Sequence, residues 1–90
     1  TESQLQLEYE QARSNYTFAL DNLNNQTRNR ALSEKIRNRT LRKYEEGLSS
    51  SFELSQAENQ YLDSERNYIN AILSVLNAKE ALEYSLGQSN

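Results

Sequence analysis

Gly47 is one of only two glycines in a 90-residue chain that has no proline, and it stands almost at the middle. It is therefore the one interior position where the backbone can take φ > 0 cheaply and a helix can end on a left-handed residue. Just beyond it, Ser50-Ser51-Phe52-Glu53 has the S-x-x-E form of a capping box. In such a box the Ser50 hydroxyl accepts the Glu53 N–H, and the Glu53 carboxylate reaches back to the start of the helix. A stop followed so closely by a start leaves room only for a tight connection between antiparallel neighbours. The expected fold is all-α, a long antiparallel helical hairpin of coiled-coil type and a single unit. It has a helix over about 3–46, a tip turn at about 47–50 and a helix over about 51–86.

The apolar spacing supports this reading. Leu5, Tyr9, Ala12, Tyr16, Ala19 and Leu23 alternate steps of four and three, which is a heptad seam. Ser3-Gln4-Leu5-Gln6 offers a weak capping box near the start. From Asn24 to Arg30 there is no apolar residue, and periodicity resumes at Ala31, Leu32 and Ile36. With no Gly or Pro to break it, this stretch reads as a continuous helix wet on all faces, with a loop as the alternative. The second half carries the stronger pattern: Leu54, Ala57, Tyr61, Ser64, Tyr68, Ala71, Val75, Ala78, Leu82 and Ser85 hold ten consecutive heptad positions. Beside this helix-packing seam runs a second stripe of Leu62, Ile69, Ile72, Leu73 and Leu76, wider than one partner helix can cover. Leu86-Gly87 supplies an expected stop, with Gly87 as the residue after the cap. The bland reading of the seam tyrosines is knob packing beside small alanines.

Charge is distributed unevenly. Arg28, Arg30, Lys35, Arg37, Arg39, Arg42 and Lys43 are seven of the ten basic residues, whereas Glu53, Glu58, Asp63 and Glu65 precede the first basic residue after the turn. In a hairpin centred near Leu48, residues whose numbers total about 97 lie opposite each other. Arg39 is then expected near Glu58 and Lys35 near Asp63. This cancellation, and the lack of interleaved aromatics, argue against a nucleic-acid partner. Three Asn-x-Thr sequons, at Asn15, Asn25 and Asn38, read as coincidence in a chain so rich in Asn, Ser and Thr.

Composition excludes several classes. There is no Cys and no His, so disulfide scaffolds, thiolate metal sites and the usual zinc constellations are unavailable to it, and no cofactor is expected. No nucleophile elbow or Gly-rich phosphate loop is present, and Glu45-Glu46 point apart on a helix, so the chain is not expected to be an enzyme. No apolar run approaches the roughly 20 residues of a membrane helix, so this segment is not expected to span a membrane. Hydrophobic residues are only 36% and mean hydropathy is −0.96, too polar for a compact globule with a large private core.

The run Lys43-Tyr44-Glu45-Glu46-Gly47-Leu48-Ser49-Ser50-Ser51-Phe52-Glu53-Leu54-Ser55-Gln56-Ala57-Glu58, with Tyr68-Ile69-Asn70-Ala71 and Ala81-Leu82-Glu83-Tyr84-Ser85-Leu86-Gly87 after it, resembles the outer-membrane efflux protein family, the TolC-like channels. Their hairpin tips carry a pattern close to R/K-Y-x-x-G-x-x-S/N-x-x-D/E-x-x-x-A-Q. Glu53 stands where the family often has Asp, and Glu58 where it usually has Gln. The resemblance implies one piece of an α-barrel tunnel wall in the periplasm of a Gram-negative envelope, in a protein that is a trimer and whose membrane β-strands have no counterpart here. It further implies that Tyr44, Gly47, Leu48, Ser49, Ser50 and Glu53 form a tip that contacts the periplasmic adaptor (membrane fusion) protein of a tripartite efflux pump or type I secretion system. The alternative is a generic coiled-coil interaction or oligomerisation module.

Overall fold

The computed structural model describes residues 2–88, and these form two helices: α1, Glu2–Glu45, and α2, Ser51–Gln88. They make an all-α, antiparallel helical hairpin. α1 runs without interruption for 44 residues because nothing in it breaks the ladder, and the polar stretch from Asn24 to Arg30 is helical throughout. Ser3 lies inside α1 rather than capping it.

The turn is built as the physics of helix ends requires. The Glu46 N–H still donates to the Arg42 carbonyl at 3.0 Å, but the Gly47 N–H then donates to Tyr44 at 3.1 Å and the Leu48 N–H to Lys43 at 2.7 Å. The pair of bonds from Gly47 and Leu48 is a Schellman motif, which satisfies carbonyls that the end of the helix would leave orphaned. It needs a left-handed residue after the cap, and Gly47 has φ of 77°. Two residues further the Ser50 hydroxyl accepts the Glu53 N–H at 3.1 Å and opens α2. The returning half of the expected box differs, because the Glu53 carboxylate takes the Ser49 hydroxyl at 2.8 Å. Gly87 does not stop α2, which continues to Gln88 with no positive φ at Gly87. Glycine permits a left-handed stop but does not impose one.

The helix pair divides into two compact units, Thr1–Asn24 with Asn70–Asn90, and Asn25–Ile69. In the first, Leu5 and Tyr9 share a cleft with Leu86, and Ala19 shares one with Ser74 and Ala78, as antiparallel pairing demands. In the second, Arg30 meets Tyr68 and Arg37 meets Tyr61. Among the described residues the fully buried apolar side chains are Ala19, Ala57 and Ala71, the last only 1% exposed. At about 0.8 kcal/mol for each buried methyl-sized group, they contribute little to holding such long helices together.

Along α2 every one of the ten heptad positions from Leu54 to Ser85 is buried or half-buried, and of the other α2 residues from Ser51 to Gly87 only Glu65 and Ile72 join them. α1 corrects the sequence reading. Its inward residues after Leu23 include Gln26, Arg30, Ser33, Arg37 and Thr40, which continue the three-four spacing without a gap. Periodicity does not resume at Ala31, Leu32 and Ile36: these are exposed, Leu32 to 59%. The seam never leaves the helix; it changes chemistry.

Candidate docking tip and the polar seam behind it

The turn presents apolar side chains to solvent. Leu48 is 73% exposed and Phe52 69%, and Tyr44 is also exposed. In many Schellman turns the residue at the Leu48 position folds back onto an apolar residue of the last helical turn. Here that neighbour is Lys43, so Leu48 has nothing apolar to cover it. Ser49, Ser50 and Glu53 satisfy one another, through the Ser49 hydroxyl on the carboxylate and the Glu53 N–H on Ser50. Of the six residues expected at the tip, Gly47, Ser49, Ser50 and Glu53 build the turn, and Tyr44 and Leu48 face outward. Phe52 completes the outward group and was missed. The signal for it lay in the heptad frame: Phe52 falls two positions before the seam residue Leu54, where an aromatic has no use inside the hairpin.

Behind the tip, in the Asn25–Ile69 unit, a polar network replaces an aliphatic seam. The Arg37 guanidinium lies 5.2 Å from the centre of the Tyr61 ring, and that of Arg30 lies 4.9 Å from the centre of the Tyr68 ring. Tyr61 donates its hydroxyl to Glu65 Oε1 at 2.6 Å, and the same oxygen faces Arg30 Nη2 at 3.7 Å. Buried Ser64 turns its hydroxyl onto the Tyr61 carbonyl at 2.7 Å. The hydrogen bond to Glu65 raises the Tyr61 phenol above its ordinary value of 10.0, helped by desolvation and by the charges of Glu65 and Glu34, with Arg30 opposing. Tyr61 and Tyr68 are thus seam residues, as the bland reading held, but each is covered by a cation.

The expected ion pairs across the hairpin do not form. Among the described residues no bridge joins Arg39 to Glu58 or Lys35 to Asp63; Asp63 faces Arg66 on its own helix at 3.8 Å, and Glu65 takes Arg30. The reason is angular. Lys35 and Arg39 each lie two positions from an inward residue, Ser33 and Arg37, and are exposed. Lys35, Arg39, Arg42 and Lys43 line one shallow outer face of α1 with Asn38 and Glu46.

The second stripe remains outside. Leu62, Ile69, Leu73 and Leu76 are each more than half exposed, and Ile72 is half-buried. Two of the sequons sit in α1 with the threonine hydroxyl already engaged: Thr17 donates to the Arg13 carbonyl at 3.1 Å and Thr40 to that of Ile36 at 2.8 Å. No helix of the described residues is long and apolar enough to cross a membrane. Compared with family models, with curated proteins and with solved structures, the chain has no match in any of the three.

Proposed function

We propose that this hairpin is a piece of the periplasmic tunnel wall of a TolC-like outer-membrane channel, and that its tip docks the periplasmic adaptor protein of a tripartite efflux pump or type I secretion system. The observation that carries the reading is the apolar tip on a polar hairpin. Leu48 and Phe52 stand exposed at a rigidly bonded turn, where each forgoes roughly 1.5–3 kcal/mol of burial. Exposed apolar groups on an ordered turn suit a surface that another protein covers. The uncovered stripe on α2 and the thin alanine core favour neighbours along the sides as well, as a wall of helices would supply. The role is that of a passive conduit and docking point, without catalysis or cofactor.

The test is site-specific photo-crosslinking in the full-length protein in its cell envelope, with the probe at Leu48, at Phe52 and, as a control, at Asn59 on the exposed face of α2. The expected result is an adduct with a periplasmic adaptor from both tip positions and not from Asn59. Adducts from the tip only to other copies of the chain would favour the coiled-coil module instead.

A further inference from the structure

Between Asn25 and Ile69 hydrophobicity points α1 the wrong way. Its inward residues there are Gln26, Arg30, Ser33, Arg37, Thr40 and Leu41, of which only Leu41, at the end next to the turn, is aliphatic, while Leu32 and Ile36 stand outside. At 100° per residue, a turn of about 100° about the helix axis would bring Leu32 and Ile36 onto α2 and carry both arginines, with Leu41, out to water, two aliphatic side chains entering for one that leaves. Apolar burial alone favours that turned arrangement. What opposes it is the pair of guanidinium groups over Tyr68 and Tyr61, together with the Glu65 carboxylate that faces Arg30.

We propose that Arg30 and Arg37 select which face of α1 meets α2 in this unit. Flat, weakly hydrated guanidinium groups lie on aromatic rings with their alkyl stems along the seam, a packing that the inward path of Arg requires and Lys or Gln does not reproduce. The selection is not cost-free: Arg30 Nε is buried without a hydrogen-bond partner, which an arrangement optimised for stability alone would avoid. The consequence is that Leu32 and Ile36 are held outward, where a neighbouring helix can use them.

The chain has no cysteine of its own, so labelling rates of introduced cysteines read the helix face directly. Ser33→Cys reports the half-buried seam and Arg39→Cys the exposed face. In the parent chain the thiol at position 33 is expected to react several-fold more slowly than that at 39. In Arg30→Gln/Arg37→Gln the order is expected to reverse, because α1 turns. Tyr61→Leu/Tyr68→Leu removes the rings while keeping an apolar seam on α2, and the same reversal is expected there. Retention of the parent order in either variant, with helical circular dichroism intact, overturns the proposal. Loss of the helical signal in both variants also overturns it, since α1 is then held by these contacts rather than steered by them. If only the arginine variant unfolds, the tyrosine variant decides.

Discussion

Replacing Gly47 with alanine separates a hairpin from a straight helix by the sign of its effect. A β-carbon built at Gly47 meets nothing within 4 Å, so no neighbour resists it, and the whole cost comes from the backbone at φ of 77°. An L-residue in the left-handed region costs roughly 1–2 kcal/mol. Lower chain entropy in the unfolded state returns about 0.4–1 kcal/mol. The net expectation is destabilisation by about 1 kcal/mol, or about 4–8 °C in Tm for a chain of this size. Gly47→Val is expected to lose at least as much, because a β-branched residue fits that region worse. A D-alanine at the same position, introduced by chemical ligation, prefers positive φ and is expected to stabilise by about 0.4–1 kcal/mol, since it keeps only the entropic gain. The assay is thermal unfolding followed by circular dichroism. In a helix running straight through position 47, L-alanine would instead stabilise by about 0.5–1 kcal/mol. Gly87 is the internal contrast: it is helical, with open space for a β-carbon, so Gly87→Ala is expected to be neutral to stabilising. A stabilised Gly47→Ala, or equal losses from L- and D-alanine, would refute the Schellman turn.

Other outcomes follow from the same contacts. Ser50→Ala removes the acceptor of the Glu53 N–H and is expected to cost about 1 kcal/mol in urea unfolding. Raising the pH should weaken the fold through Tyr61: its folded pKa lies above the ordinary 10.0, so the contribution is complete below that value and is lost as pH climbs through the raised one. Phenolate absorbance should show the Tyr61 titration moving down toward the ordinary 10.0 in Glu65→Gln; an unchanged Tyr61 titration in that variant would remove the Glu65 bond. Leu48→Asp, at an exposed tip, is expected to change stability by no more than about 0.5 kcal/mol, whereas Ala71→Asp buries a charge at a position 1% exposed and should unfold much of the helix pair. Equal losses from the two substitutions would mean that Leu48 is packed rather than presented.

The hairpin was legible in the sequence because its signals are local. Gly47, Ser50 and Glu53 act on backbone groups within a few residues, and an α2 seam of uniformly apolar or small residues declares its own period. The α1 seam was legible only as far as Leu23. Beyond it the spacing pointed to Gln26, Arg30, Ser33, Arg37 and Thr40, but a scan for apolar residues skips them and settles on Leu32 and Ile36. The expected pairs Arg39–Glu58 and Lys35–Asp63 failed for a related reason, because opposite charge at matched height says nothing about which way each side chain faces.

Sequence alone therefore determined the number of helices, the place and chemistry of the turn, and the inward face of α2, since each follows from backbone sterics, capping or an unbroken apolar period. Tertiary structure alone decided that Arg30 and Arg37 enter the seam and that Leu32 and Ile36 leave it. Whether a guanidinium is better placed in water or on a ring depends on a tyrosine 24 positions away for Arg37 and 38 away for Arg30. No window along one helix contains that partner, so only the folded pair settles the choice.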